Sequence, residues 1–417
     1  MPTRLFVNAA QVVTCAGPPR ARRGEELRDA GVLSGAAVAV EGARIAAVGN
    51  EDALRRTYSD AEVIDCGRGV LLPGLVDSHT HAIFGKARFE EQEMRAAGYD
   101  YMDIARRGGG IHASVRDLRS RSEDELVALA LPRLRRLASY GATTVEVKSG
   151  YGLTLDDELK SLRAIQRLQG LLPLRLVPTF LGAHEIPLEW RGTPEGRADY
   201  VDLIVKEMIP RVVEGGLAQF ADVFCEPGVF TLEETRAVLS AARAAGLRLK
   251  LHADELRPSG GAELAAQLGA TSADHLAAIS EPGVRALAAS ATVATMLPGT
   301  MLFLGKERQA PARALIDGGA AVALATDFNP GTSPTPNFPL ILALAVSQLH
   351  LSVSEAVIAA TVNGAAALAL AEETGQLAPG YSADLALFDI EDVRELPYWY
   401  GDRRCRATWV RGVPCAA

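Results

Sequence analysis

Six of the seven histidines in this 417-residue chain, His79, His81, His112, His184, His252 and His275, stand at or just after the ends of short apolar runs or in the loop that follows. In Asp77-Ser-His79-Thr-His81 the two imidazoles are two residues apart, so an extended backbone projects both to one side, where they can grip one cation. His252 closes a second apolar run and Asp327 a third. Three neutral nitrogens and one carboxylate form a borderline donor set, suited to Zn²⁺ or Fe²⁺ and unlike the all-oxygen shell of Mg²⁺ or Ca²⁺. In His252-Ala-Asp-Glu255 a carboxylate follows one short loop later. Such a glutamate can take a proton from a water activated by the cation and return it to a leaving nitrogen, provided its pKa lies near neutrality. His275, in Ala273-Asp-His275, is placed to polarise a substrate carbonyl or steady the attacking hydroxide. Singly, each has a plainer reading: a chance H-x-H pair, a solvated loop charge, a buried histidine bonded to backbone. Their joint placement at strand ends favours the metal site. His350, in the helical stretch Ile341 to His350, reads instead as a packing or surface histidine.

Eight apolar runs are available to position these groups: Leu71 to His79, Thr143 to Lys148, Leu174 to Leu181, Ala221 to Cys225, Leu247 to His252, Thr271 to His275, Thr292 to Leu297 and Ala321 to Asp327. Helical text separates most of them, as at Asp156 to Leu168, Leu232 to Ala245 and Gly261 to Leu268, the last after a cap-like Pro-Ser-Gly. Repeated βα units predict an α/β fold, a closed (β/α)₈ TIM-like barrel of residues 71–370 with its active site at the C-terminal ends of the strands. The flanks read differently. Leu5 to Val13, Ala36 to Val40, Arg44 to Val48 and Glu62 to Asp65 are strand-like, as are Ala383 to Phe388 and Ala407 to Val410. Residues 1–70 and 371–417 are therefore expected to form one small β-rich accessory domain around the barrel, with Ala16 to Leu33 as a loop.

Composition narrows the function. Acids outnumber bases, 51 to 43, for a net charge of −8, which argues against nucleic acid and requires a locally positive pocket for any anionic substrate. Cys15, Cys66, Cys225, Cys405 and Cys415 are odd in number, scattered and without a C-x-x-C pair, so neither a disulfide framework nor a thiolate zinc site is expected, and a reducing cytoplasm fits. No stretch has the apolar length of a membrane span, and the first residues alternate like a strand rather than forming an export signal.

The H-x-H on strand one, the histidines on strands five and six and the aspartate on strand eight resemble the ligand order of the amidohydrolase superfamily. Its two-metal members carry a bridging carbamylated lysine on strand four. Here strand four ends Val-Phe-Cys225-Glu226, and Lys148 lies on strand two, so the resemblance implies a single divalent or trivalent metal ion, Zn or Fe, with Lys148 paired to an acid. Longer stretches resemble the imidazolonepropionase family: Pro73-Gly-Leu-Val-Asp-Ser-His-Thr-His81, Gly108-Gly-Gly-Ile-His112, Val147-Lys-Ser-Gly-Tyr-Gly-Leu153, Thr179-Phe-Leu-Gly-Ala-His-Glu185 and Thr326-Asp-Phe-Asn-Pro-Gly331.

The resemblance implies metal ligands His79, His81, His252 and Asp327, substrate contacts Arg88, Tyr151, His184, Glu255, Asn329, Gly331 and Thr332, and catalytic roles for Glu255 and His275. It also implies a homodimer and hydrolysis of the small anionic substrate 4-imidazolone-5-propanoate to N-formimidoyl-L-glutamate in histidine degradation. One departure is Lys86, where a small residue is expected. A cyclic amide with a propionate tail needs a hydrolytic metal at one end and an anion receptor at the other. Arg88 suits the second task because a guanidinium binds carboxylate bidentately. Tyr151 and Tyr101 can add phenolic hydrogen bonds, Gly150, Gly152 and Gly331 let backbone approach the ligand, and Gly108 to Gly110 form either a lid hinge or a tight turn. Two other readings stay open. A single-metal deaminase of a purine or pyrimidine-like ring also suits His252-x-x-Glu255 but leaves Arg88 without a carboxylate to grip, and a non-catalytic assembly protein is expected to have lost metal ligands that are all present here.

Overall fold

The computed structural model describes residues 3–99 and 101–415. Eight parallel strands form the barrel: β1 (Leu75–Asp77), β2 (Ala142–Lys148), β3 (Arg175–Ala183), β4 (Phe220–Cys225), β5 (Arg248–Ala253), β6 (Ser272–His275), β7 (Val293–Met296) and β8 (Val322–Leu324). Each pairs with its sequence neighbour. A parallel bridge between Thr80 and Phe328, just past the ends of β1 and β8, draws the first and last strands together. The crossovers are helical, and several of the helices carry local start signals. Thr154 caps Leu155–Gln169, and Thr231 with Glu234 forms a capping box on Leu232–Ala244. The helix Gly261–Leu268 starts directly after the Pro-Ser-Gly segment, with Gly260 as its cap in the left-handed conformation and the Asp254 carboxylate accepting the N–H groups of Gly260 and Ala262.

The chain ends build two further sheets. One has the order Arg44–Asn50, Ala36–Glu41, Thr3–Val7, Glu62–Asp65; the other runs Val413–Cys415, Cys405–Val410, Leu385–Phe388, Val70–Pro73, Gln11–Val13, Val32–Leu33. The period of two in Ala36–Glu41 sends Val38 and Val40 into one core with Phe6, Leu71, Leu385 and Trp409, and Ala37 and Ala39 into another with Leu5 and Val7. Phe6 meets Trp409 edge-on, with ring centroids 4.9 Å apart.

Four expectations require correction. The run Leu5 to Val13 is two strands, Thr3–Val7 and Gln11–Val13, in different sheets. The run Leu71 to His79 is not one strand: Val70–Pro73 pairs antiparallel with Leu385–Phe388, and the chain enters the barrel only after Gly74. A Cβ on Gly74 would lie 2.1 Å from the Thr143 side chain, so only glycine lets the backbone pass so closely from one sheet to the other. Residues 16–33 are not all loop, since Gly24–Arg28 forms a 3₁₀ turn and Val32–Leu33 pairs with Val12 and Val13. His350 lies outside its helix, which ends at Ser347; it is exposed, with φ of 57°.

Candidate active site

The site is assembled where β1 and β8 meet. His79 O accepts the Asp327 N–H at 3.0 Å and Phe328 O accepts the His81 N–H at 2.9 Å, while the Asp77 carboxylate takes the N–H and hydroxyl of Thr326 at 3.0 and 2.6 Å. These bonds fix the H-x-H segment against Asp327. The His79 and His81 Nε2 atoms each lie 3.6 Å from Asp327 Oδ1, and His252 Nε2 lies 3.3 Å from His81 Nε2. Two triplets, His79/His81/His252 and His79/His275/Asp327, have donor atoms within 4.8 Å of one another. His79 Nε2 is buried without a hydrogen-bond partner. Converging lone pairs of imidazole nitrogen and carboxylate oxygen repel unless a cation lies between them, so this set fits a bound divalent ion.

Behind the imidazoles lies a charged layer. His79 Nδ1 is 2.7 Å from Asp274 Oδ2, and His252 Nδ1 is 3.0 Å from Asp222 Oδ2. The hydrogen bond to Asp274 sets Nδ1–H of His79 as the donor and leaves its Nε2 for a metal, while Asp222 sets a negative charge beside His252 Nδ1. Lys148 Nζ sits 2.7 Å from Glu146 and 2.8 Å from Asp222, the acid pairing expected of it, and Lys250 Nζ is 3.3 Å from Asp274. Two carboxylates and Asp274 beyond them outweigh burial and hold the Lys148 ammonium above the ordinary lysine range. Sequence reading missed Asp222, Asp274 and Lys250. The available signal was a charged residue inside each otherwise apolar strand, as in Leu-Lys250-Leu-His252. Burial first, then Lys148 and the neighbouring histidines, push His79 well below the usual imidazole range; burial and His184 do the same to His81.

A cavity of about 870 Å³ opens above this layer and is lined by Arg88, Tyr151, His184, Glu255, His275, Asn329 and Thr332 among others. His275 Nε2 lies 3.6 Å from Glu255 Oε2. Burial, then Asp327 and Glu226, raise the Glu255 carboxyl well above its ordinary range. Glu226 also accepts the N–H groups of Glu255, Leu256 and Arg257 at 3.2, 3.3 and 2.9 Å, which anchors the loop that carries Glu255. The Gly150-Tyr151-Gly152 loop is held likewise by Glu158, which accepts from Gly150, Gly152 and Leu153. His184 stacks on His81 at 5.0 Å and its Nδ1 lies 2.9 Å from Gly150 O. Burial first, then His252, lowers the His184 imidazole to about 3.

Arg88 is buried, donates to Ser114 Oγ at 3.1 Å and lies 3.1 Å from Glu91. A Cβ on Gly331 would sit 1.4 Å from Arg88 Nη2, so this glycine makes room for the guanidinium. Asn329 spends its Oδ1 on the Gly331 and Thr332 N–H groups at 2.8 and 2.7 Å, shaping the turn after β8. The glycine run Gly108 to Gly110 leads into a helix, Ile111–Arg119, that carries His112 on the cavity wall, with Gly110 N donating to Glu91 at 2.7 Å. Lys86 is exposed and its N–H donates to Asp117 at 2.9 Å. The Tyr101 side chain lies outside the described residues. All five cysteines are buried and unbonded, and among the described residues no helix is long and apolar enough to cross a membrane.

Residues 104–416 match the model described as the amidohydrolase family. Imidazolonepropionase of Solibacter usitatus (strain Ellin6076) is 45% identical over 408 residues, covering 98% of this chain and 97% of its own. That of Symbiobacterium thermophilum is 49% identical over 401 residues, covering 95% and 93%. Among solved structures, E. coli guanine deaminase superposes with a TM-score of 0.73 at 17% identity over 99% of both chains, and a zinc-bound adenosine deaminase from Xanthomonas campestris with 0.72 at 18% over 99% and 92%. Likeness at that identity speaks to the barrel and its appended sheets alone. With relatives this similar over nearly its whole length, the chain belongs to the imidazolonepropionase family of amidohydrolases.

Proposed function

We propose that this chain opens the ring of 4-imidazolone-5-propanoate by hydrolysing its cyclic amide to N-formimidoyl-L-glutamate, with one divalent ion, Zn²⁺ or Fe²⁺, held by His79, His81, His252 and Asp327. The observation that carries the reading is the convergence of those donor atoms beneath a cavity lined by Glu255, His275 and Arg88. When bound, the ion supplies a Lewis acid that lowers the pKa of water. Arg88 grips the propionate tail and orients the ring. Glu255 takes the proton of the attacking water, whose oxygen bonds to the ring carbonyl carbon. As the carbon–nitrogen bond breaks, Glu255 returns the proton to the departing nitrogen, which stays on the formimidoyl group while the carbonyl becomes a carboxylate. His275, neutral because burial and His252 hold its imidazole well below the ordinary range, offers an N–H to the oxyanion. Tyr151, His184, Asn329 and Thr332 shape the walls around the ring. The family's homodimer is the assembly proposed for the chain. Metal-loaded protein should consume 4-imidazolone-5-propanoate and leave purines and pyrimidines unchanged; the opposite preference would replace this reading with ring deamination.

A further inference from the structure

We infer that Lys148 is a positioning residue of the metal centre, the buried cation that sets the geometry of three ligand histidines at once. The inference rests on the reading of His79, His81, His252 and Asp327 as ligands. Two chains of contacts leave the Lys148 ammonium, which is fully buried. Through Glu146 Oε1, at 2.7 Å, it holds a carboxylate whose other oxygen accepts the Thr80 N–H at 3.0 Å, the peptide unit between His79 and His81. The Thr80 hydroxyl returns a bond to the Glu146 carbonyl at 2.6 Å, and the Lys148 N–H itself donates to Thr80 O at 3.0 Å. Through Asp222 Oδ2, at 2.8 Å, it holds the carboxylate that lies 3.0 Å from His252 Nδ1 and, by Oδ1, 3.2 Å from the His252 N–H. Removing the ammonium leaves Glu146 and Asp222 facing each other in a buried interior, where like charges must separate or one must take a proton. Either response frees the His79–His81 backbone or the ring of His252.

Lys250 provides a graded comparison. Its ammonium reaches Asp274 Oδ2 at 3.3 Å, bonds Ser272 Oγ at 2.6 Å, and touches the centre through His79 alone. Lys148 therefore matters more than Lys250 to metal retention, although neither approaches substrate. Outer partners of ligand histidines typically change metal affinity by about 10- to 100-fold.

The test measures Zn²⁺ affinity of the full chain by chelator competition and the visible spectrum of the Co²⁺-substituted protein, beside circular dichroism for the fold. Lys148→Met should weaken Zn²⁺ by about 10- to 100-fold and alter the Co²⁺ bands, with Lys250→Met losing less. Should the single variant fail to fold, Lys148→Met with Glu146→Gln removes the surplus charge, and it should still bind Zn²⁺ more weakly than wild type. Histidine ¹⁵N shifts of metal-free wild type read the same device without any variant: His252 should already be fixed with its proton on Nδ1, and an averaged, mobile ring would overturn the inference. A folded Lys148→Met that keeps wild-type Zn²⁺ affinity and Co²⁺ spectrum would sink this inference alone, whereas a wild type that takes up no Zn²⁺ would remove the ligand reading and this inference together.

Discussion

The barrel interior and the interior of the accessory sheets are both buried, yet they are filled by opposite kinds of residue. Between the sheets lie Phe6, Val12, Val38, Leu71, Leu385 and Trp409, which stabilise by leaving water. At the heart of the barrel lie Glu146, Lys148, Asp222, Lys250 and Asp274, each at most 1% exposed. Burying such ions costs more than their pairing returns, so a stability-driven core would have used aliphatic side chains there. The charged interior marks the place where the fold gives up stability to hold imidazoles in one orientation. The contrast makes separate predictions for the two regions, since damage to the barrel layer should strike binding and turnover while damage to the sheets should strike folding alone.

Turnover should respond most to Glu255. Glu255→Gln is expected to lower kcat by about 10²- to 10⁴-fold with metal content unchanged, because the proton transfer is made in the transition state. Only the carboxylate form accepts a proton, and burial raises the pKa of this group. Wild-type kcat should therefore fall as pH drops through that raised pKa, and the acid limb should vanish in Glu255→Gln. Normal turnover in this variant would move suspicion to His275.

Arg88 should fail in another way. Arg88→Ala should raise KM by about 10- to 1000-fold with a smaller change in kcat, as an anchor that binds ground and transition states alike. Gly331→Ala offers a sharper version, because the new methyl occupies the space of the Arg88 guanidinium. It should copy the KM defect, and an unaltered KM would show that Arg88 can grip the tail from another position. Smaller effects are expected at the exposed, cavity-lining Arg257, Lys306 and Arg308, which set positive charge at the entrance of a chain of net charge −8. Charge reversal at Lys306 and Arg308 should reduce kcat/KM a few-fold at low salt, with the difference lost at high ionic strength.

On the sheet side, Trp409→Ala should cost about 3–5 kcal/mol of stability in denaturant unfolding. Metal content and kinetic constants of the folded fraction should stay at wild-type values. A Trp409→Ala protein that remains stable but loses metal would erase the division between the two regions.

Much of this organisation is legible in the amino-acid sequence, for reasons that differ by residue. The eight strand runs can be read because barrel strands are buried on both faces and so are mostly apolar, and His79, His81, His252 and Asp327 because polar groups at the ends of such runs stand out. Gly74 escapes that reading: hydrophobicity is continuous from Leu71 to Val76, and only the contact with Thr143 reveals a change of sheet. Asp222 and Asp274 escape because their partners lie 30 and 195 residues away, on other strands. The packing of Gly331 against Arg88 escapes as well, since the side chain that fills its space comes from the far end of the barrel sequence.

The proposed function requires a single ion held by three imidazoles and one carboxylate, with Glu255 left free for the proton. Anomalous diffraction at the metal edge, on crystals of the metal-loaded protein with a substrate analogue, tests it most directly. One peak per chain is expected among the Nε2 atoms of His79, His81 and His252 and the carboxylate of Asp327, lost in Asp327→Ala, with Glu255 facing the analogue's ring. A second peak bridged through Lys148, or an ion ligated by Glu255 in place of Asp327, would contradict the account.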